Sequence, residues 1–203
     1  DSRLILRIAP AVAEAAAASG VAARPIEDLE AYRQSLTRFV YQTGMVMRPV
    51  FAAAKALCAK DAARVVYAEG EDERVLRAVQ IVVDEGLAKP MLIGRPEVIA
   101  ARIGKFGLRL RAGTDFELVN INSDPRYREC SQLYYQIMGR KGVSPEEARE
   151  AVLRKPSVIG TLLLRMGACD ALVCGPVGKY EAHLRHVADV IGRSPDAPVF
   201  AAM

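Results

Sequence analysis

The sequence predicts an α/β fold in which a parallel sheet is flanked by helices and preceded by a helical linker. From residue 61 onward, short runs rich in β-branched residues alternate with amphipathic helical segments across short connections, which is typical of a parallel sheet. Before residue 61, apolar residues recur only at helical spacing. The length of 203 residues fits one domain of about 150 residues with a helical remainder.

Three helices are predicted in the first 60 residues. The first spans 10–20, because Pro10 suits a helix start and the final glycine suits a helix end. The second spans 27–40. The third spans 46–59, where Pro49 would be tolerated because it lies in the first turn.

Strands and helices then alternate along the rest of the chain. Apolar runs bounded by turn residues predict four strands at 64–68, 90–94, 116–121 and 170–175, the last of them buried. Helical spacing predicts helices at 73–85, 96–103, 126–138, 144–154, 156–166 and 181–191. Ser144 and Glu147 have the spacing of a capping box.

Charge and composition exclude several classes of protein. Lys and Arg total 28 against 24 Asp and Glu, so the formal net charge is only +4, and no basic run is interleaved with aromatics. We therefore expect no nucleic-acid partner. No apolar stretch reaches the roughly 20 residues that span a bilayer, so no membrane partner is expected either. The four cysteines form no CxxC motif, which indicates reduced thiols and a cytoplasmic location.

Both ends of the chain are abrupt. It begins at Asp1 rather than at a methionine and stops inside the apolar run 200–203. We expect it to be an internal piece of a longer polypeptide, with a fold that is incomplete at its C-terminus. Such a piece can lack the residues that perform its parent's chemistry.

The segment 170–191 is the strongest candidate for a ligand site. In an open α/β sheet, ligands bind beyond the carboxyl ends of the strands, where backbone N–H groups and helix N-termini meet. Gly175 and Gly178 would let the backbone approach a ligand, and Lys179 and Arg185 could neutralise a phosphate. The alternative is that the glycines only shape a tight turn between strand and helix.

Other polar residues are open to a functional or a structural interpretation. The four carboxylates within 69–73 favour helix capping and solvation, although acid–base chemistry or a hard metal ion stays open. His183 and His186 lie three apart on a helix, but two imidazoles without a third ligand predict no metal site. Cys174 has no activating partner at motif spacing, which favours a small buried thiol over a nucleophile.

Arg140 and Lys141 stand at the end of a predicted helix. As cations they complement the negative end of the helix dipole. They could equally face a phosphorylated ligand, and the sequence does not decide between these roles.

Four segments, taken together, resemble the phosphate acetyltransferase family. They occur in the family's order and are RVVYAEGEDERVLRA at 64–78, EGLAKPMLIG at 85–94, KGVSPEEAR at 141–149 and GACDALVCG at 167–175. The first residues differ, because DSRLILRIAPAVA at 1–13 and SGVAARPI at 19–26 resemble the end of a bacterial malic enzyme's nucleotide-binding region. The combination resembles the large NADP-dependent hybrid malic enzymes, in which a malic enzyme is fused to a phosphotransacetylase-like domain.

This resemblance implies three regions. Residues 1–24 would be the tail of the malic enzyme's nucleotide-binding region, and 25–60 a helical linker. Residues 61–203 would be the front part of a phosphotransacetylase-like domain.

The resemblance also implies that part of the family's site is lost. An arginine of the family's phosphate/CoA site is matched here by Met138, and a thioether cannot replace a guanidinium fork. A second family arginine is matched by Arg185. The loop at 174–179 lacks the family's hydroxyl residues, and the remaining catalytic residues would lie beyond Met203. We therefore assign no catalytic residue.

The function implied by the resemblance is an acetyl-CoA-binding regulatory and oligomerisation domain without transferase activity. The residues expected to contact the ligand are Arg185, Lys179, Gly175, Gly178 and Arg140. The parent would be a malic enzyme that converts malate to pyruvate and CO2, with NADP and Mg or Mn bound upstream. Expected partners are acetyl-CoA and further copies of the chain. The alternatives are an active phosphate acetyltransferase and a purely structural assembly domain.

Overall fold

The computed structural model describes residues 4–40 and 42–196, and the chain divides into two compact units, 1–54 and 55–203. The first unit contains helices α1 (Ile5–Ala18) and α2 (Leu29–Val40). Helix α3 (Gln42–Cys58) begins in the first unit and ends in the second.

Two prolines lie inside these helices, which corrects the predicted helix starts. Helix α1 begins at Ile5, so that Pro10 is an interior residue, and α3 begins at Gln42, so that Pro49 lies beyond the first turn. The physical reason in α1 is that Ile5 and Ile8 continue the apolar helical spacing upstream of the proline. This pattern outweighs the single backbone hydrogen bond that a proline removes.

Helices α1 and α2 pack against each other. Helix α1 ends as predicted, because Gly20 adopts a φ of 72° and the Ser19 hydroxyl donates a hydrogen bond to the Ala15 carbonyl at 2.8 Å. An ion pair joins Arg33 of α2 to Glu14 of α1 at 3.5 Å.

The second unit alternates strands with helices. The strands are β1 (Arg64–Tyr67), β2 (Lys89–Gly94), β3 (Glu117–Asn120) and β4 (Ala171–Val173). The helices are α4 (Glu73–Asp84), α5 (Pro96–Lys105), α6 (Tyr127–Met138), α7 (Pro145–Arg154), α8 (Pro156–Arg165) and α9 (Tyr180–Val190). Every element predicted after residue 61 is present within two residues of its predicted bounds. Across the described residues, no helix combines the length and the apolar character needed to cross a membrane.

The four strands form one parallel sheet in the order β3–β2–β1–β4, which confirms the predicted fold class. In the centre of the sheet, Val66 of β1 lies between Met91 of β2 and Leu172 of β4. Each new strand after β1 is reached through a helix, as parallel pairing requires.

Side chains alternate between the two faces of the sheet, and each face has its own apolar core. Val66, Met91 and Ile93 point to the face covered by α6, α7, α8 and α9. Tyr67 and Leu92 point to the opposite face, covered by α4 and α5. The second unit therefore has three layers, with helices on both sides of the sheet.

Strand β4 lies at the edge of the sheet, so the prediction that it is buried is wrong. Within the described residues β4 pairs with β1 alone, and its Ala171 and Val173 are exposed. Cys174, directly after it, is partly exposed, so the prediction of a buried thiol is also wrong. An apolar run predicts a strand but does not tell a central strand from an edge strand.

Candidate ligand-binding site

The order of the strands creates a crevice at the carboxyl ends of β1 and β4. From β1 the chain moves outward through β2 to β3, whereas β4 pairs with the other side of β1. The loops that follow β1 and β4 therefore lead away from each other. Open α/β sheets bind their ligands at such a switch point.

A cavity of about 650 Å³ opens at this edge of the sheet. Its apolar lining consists of Ala68, Ile93, Ile121, Pro156 and Val177. The polar lining residues are Glu69, Glu71, Asp72, Arg95, Arg102 and Asn122. The volume lies within the range of small-molecule sites, roughly 300 to 1,000 Å³.

Arginines neutralise two of the acids in the cavity wall. Glu71 accepts hydrogen bonds from the Arg95 guanidinium at 2.9 and 2.8 Å, which lowers the pKa of its carboxyl group. Asp72 pairs with the Arg74 guanidinium, which lowers its pKa, and caps α4 by accepting the Arg74 backbone N–H at 2.9 Å. The capping predicted for 69–73 is thus confirmed at Asp72.

Three side chains hold three consecutive residues of the loop after β4. The Glu69 carboxylate accepts a hydrogen bond from the Gly175 N–H at 3.2 Å. The Arg74 guanidinium donates to the Pro176 carbonyl at 2.7 Å. The His183 ring donates to the Val177 carbonyl at 2.7 Å. Gly175 and Gly178 have φ angles of 121° and 103°, a backbone conformation that strains any residue with a Cβ. The loop is therefore fixed on several sides, and its Val177 forms part of the cavity wall.

Glu69 differs from its acidic neighbours, because no arginine pairs with it within the described ranges. Its side chain is only 10% exposed. Burial raises the pKa of the carboxyl group, although the Gly175 N–H and His183 oppose the shift. The sequence pattern alone does not distinguish Glu69 from the other acids of 69–73. The one available signal is that Glu69 follows Ala68, the buried residue directly after β1.

The two histidines of α9 face different partners. His183 bonds to the Val177 carbonyl, and its Nδ1 lies 3.7 Å from Oε1 of Glu69. His186 Nδ1 lies 2.7 Å from the Ser157 hydroxyl, and burial lowers the pKa of this imidazole. Among the residues with described positions, no group of three or more His, Cys, Asp or Glu side chains could hold a metal ion.

Residues 45–203 match the family model described as phosphate acetyl/butaryl transferase. This chain belongs to that family. The fold agrees with the assignment, because the EutD phosphotransacetylase from Staphylococcus aureus aligns with a TM-score of 0.65 at 23% sequence identity. The alignment covers 75% of this chain and 45% of that one.

The whole chain is also similar to malic enzymes, which confirms the resemblance to the hybrid enzymes. It is 54% identical over 203 residues to the NAD-dependent malic enzyme of Rhizobium meliloti (strain 1021), covering 100% of this chain and 26% of that enzyme. It is 52% identical over 192 residues to the NADP-dependent malic enzyme of Escherichia coli (strain K12), covering 95% of this chain and 25% of that enzyme. The chain thus spans about a quarter of these relatives' length.

Met138 stands where the phosphate acetyl/butaryl transferase family was expected to have an arginine, and it is a core residue. Its side chain is 8% exposed and belongs to the same apolar core as Cys130 and Tyr134 of α6. An arginine at this place would need a charged partner to offset the loss of hydration. Met138 instead contributes apolar packing.

The structure brings together part of the predicted ligand residues. Gly175, Gly178 and Lys179 belong to one loop, in which Lys179 is the N-cap residue of α9. Arg185 lies exposed within α9, and Arg140 lies exposed in a short 3-10 turn after α6. The cavity lining includes neither Lys179 nor the two arginines.

Proposed function

We propose that this chain is the acetyl-CoA-binding regulatory and assembly part of a decarboxylating malic enzyme, and that it transfers no acetyl group itself. The parent enzyme would convert malate to pyruvate and CO2. Support comes from the similarity of the full chain to malic enzymes of two bacteria.

The parent's cofactors are part of the same proposal. Its dinucleotide would be NADP, as predicted, or NAD, because one relative is named NADP-dependent and the other NAD-dependent. An Mg or Mn ion would act with the dinucleotide. We assign no residue of this chain to either group.

The observation that carries the proposal is the burial of Met138. The resemblance assigns the corresponding family arginine to the phosphate/CoA site, where a guanidinium donates charge-assisted hydrogen bonds to oxyanions. A thioether donates none. Each lost hydrogen bond to a charged group removes about 1.5–3 kcal/mol. A site that lacks this arginine can retain ligand binding through other cations while losing the transfer reaction.

Exposed cations on and near α9 favour a phosphorylated ligand. Neither Lys179 nor Arg185 has an ion-pair partner in the described part of the chain, and Lys179 stands at the positive end of the helix dipole. Lys141 pairs with Asp189 of α9 at 2.9 Å, which ties the turn that carries Arg140 to the same helix. These positions support Arg185, Lys179 and Arg140 as contacts for the acetyl-CoA phosphates.

An apolar surface on α1 supports the assembly role. Ile5, Ile8 and Val12 recur at helical spacing and are all exposed. Isolated exposed apolar residues are ordinary, but a continuous stripe favours contact with another protein surface. We propose that this stripe contacts a second copy of the parent enzyme.

A titration of acetyl-CoA into the full-length enzyme, followed by malate oxidation and by calorimetry, tests the regulatory proposal. With malate well below its KM, we expect saturable acetyl-CoA binding and a fall in the oxidation rate of at least about fivefold, because allosteric coupling typically changes affinity by 5- to 150-fold. Unchanged oxidation together with undetectable binding would contradict the proposal.

Variants distinguish the alternatives. The double variant K179A/R185A should weaken acetyl-CoA binding, whereas R149A, an exposed arginine on α7, should leave binding unchanged. Formation of acetyl phosphate from acetyl-CoA and phosphate would instead favour an active transferase. Unchanged acetyl-CoA sensitivity in K179A/R185A, with a changed oligomer size on removal of this domain, would favour the purely structural role.

A further inference from the structure

The geometry around His183 fixes the proton on one of its ring nitrogens. Nε2 lies 2.7 Å from the Val177 carbonyl oxygen. A carbonyl oxygen only accepts hydrogen bonds, so Nε2 must carry the hydrogen. In the neutral ring Nδ1 then has a lone pair and no hydrogen.

The second ring nitrogen faces a carboxylate. Nδ1 is buried, lies 3.7 Å from Oε1 of Glu69 and has no hydrogen-bond partner among the described residues. The two side chains are only 15% and 10% exposed, so water does little to solvate them. If neither group carried a proton, the Nδ1 lone pair would face a carboxylate in a shielded site, which is unfavourable.

We propose that Glu69 and His183 together carry one proton, on the carboxyl group or on Nδ1, and that this proton holds the 175–178 loop against the end of β1. Each partner also holds one backbone group of that loop, Glu69 through the Gly175 N–H and His183 through the Val177 carbonyl. Both are therefore positioning residues for the loop. Loss of the proton loosens the loop, which forms part of the cavity wall. The inference goes beyond the proposed function, because it depends on no particular ligand.

The neighbouring charges are consistent with a proton on this pair. Four other charged or titratable groups lie near the Glu69–His183 pair in the described part of the chain. They are Asp72 in the loop after β1, Arg74 on α4, Cys174 after β4 and His186 on α9. Burial raises the pKa of Glu69, the Gly175 N–H and His183 oppose this rise, Asp72 adds to it, and the net shift is upward. A group with a raised pKa in the folded state contributes stability that is lost as the pH rises through that pKa.

Amide hydrogen exchange in the full-length protein tests the proposal. We expect the protection factor of the Gly175 amide, which donates to the Glu69 carboxylate, to fall severalfold as the pH rises and the pair loses its proton. In Glu69→Gln, the amide oxygen can accept the Gly175 N–H and the amide NH2 can donate permanently to Nδ1 of His183. This variant should keep the protection that the wild type has at low pH, with no fall at high pH.

Two further variants complete the test. Glu69→Ala supplies no donor or acceptor and should lower loop protection at every pH. His186→Gln is the matched control on the same helix and should keep the wild-type pH response, because His186 bonds to Ser157 instead. A flat wild-type profile, a Glu69→Gln profile that falls like the wild type, or unchanged protection in Glu69→Ala would each overturn the proposal.

Discussion

The carboxylate of Asp170 accepts three hydrogen bonds from Arg64, which lies 106 residues earlier in the chain. The donors are the Arg64 backbone N–H at 2.7 Å, Nε at 3.1 Å and Nη2 at 3.0 Å. In return, the Asp170 backbone N–H donates to the Arg64 carbonyl at 2.8 Å. These contacts join the start of β1 to the residue before β4. They therefore fix the register of the edge strand.

Substitution of this carboxylate should alter stability in a pH-dependent way. The Arg64 hydrogen bonds lower the pKa of Asp170 to about 2, so its contribution is present above the unfolded value of about 3.9 and lost as the pH falls toward 2. We expect D170N to lower Tm by no more than about 4 °C near neutral pH, because the pair is exposed. The difference from the wild type should shrink by about pH 3. Thermal unfolding at both pH values measures it.

A control pair separates this effect from ordinary surface charge. Glu150 and Arg154 form an exposed ion pair along α7 at 3.1 Å. E150Q should change Tm very little, because such pairs contribute little in water. An equal Tm difference for D170N at both pH values would contradict the predicted role of the Asp170 charge.

Gly70 lies where the chain leaving β1 passes close to β2. A Cβ at this position would lie 2.7 Å from the Ile93 carbonyl oxygen and 2.9 Å from the Leu92 Cβ. Because a backbone atom cannot move away easily, G70A should destabilise the fold by about 1–3 kcal/mol. Urea unfolding measures the change.

Gly104 provides the matched control for Gly70. It lies in α5, and a Cβ there would meet nothing within 4 Å. G104A should be neutral or should stabilise the protein by up to about 1 kcal/mol, because alanine is the better helix former. If G70A were as stable as G104A, the close approach of Gly70 to β2 would be wrong.

The capping box at the start of α7 should also be measurable. The Ser144 hydroxyl accepts the Glu147 N–H at 3.2 Å, and the Glu147 carboxylate accepts the Ser144 N–H at 2.7 Å. S144A should cost about 1 kcal/mol in the free energy of unfolding, whereas S144T should retain most of that stability. Equal losses in the two variants would indicate that the hydroxyl does not cap the helix.

Local signals explain why most elements of the second unit could be predicted. The Ser144–Glu147 box depends on residues three apart, and it is present as expected. The alternation of apolar runs and amphipathic segments likewise depends on neighbours in the chain. The positions of Pro10 and Pro49 were misjudged, because helix starts depend on the summed preference of the flanking residues rather than on one proline.

Contacts between distant segments could not be predicted in the same way. Glu69 and His183 meet because β1 and β4 are neighbours in the sheet, and strand order is not encoded in any local pattern. The edge position of β4 has the same origin. The predicted glycine loop was recognisable from its residue types, but the three side chains that hold it come from β1's end, α4 and α9.

The partly buried hydrogen bond between Ser157 and His186 should make the fold sensitive to mild acid. Burial lowers the pKa of His186, and Lys155, His183 and Arg185 lower it further, whereas Asp189 raises it. The unfolded state therefore binds the proton more tightly. The stability that the neutral imidazole contributes is fully present above the ordinary value of 6.5 and is lost as the pH falls through the lowered folded value.

His186→Asn removes the titrating group and keeps an oxygen that can accept the Ser157 hydroxyl. The free energy of unfolding of the wild type, measured by urea titration, should fall below about pH 6.5 relative to that of the variant. S157A should lower stability at about pH 8 by about 1 kcal/mol, because the hydrogen bond is lost without any change of charge. Parallel curves for the wild type and His186→Asn would mean that His186 titrates no differently in the folded and unfolded states.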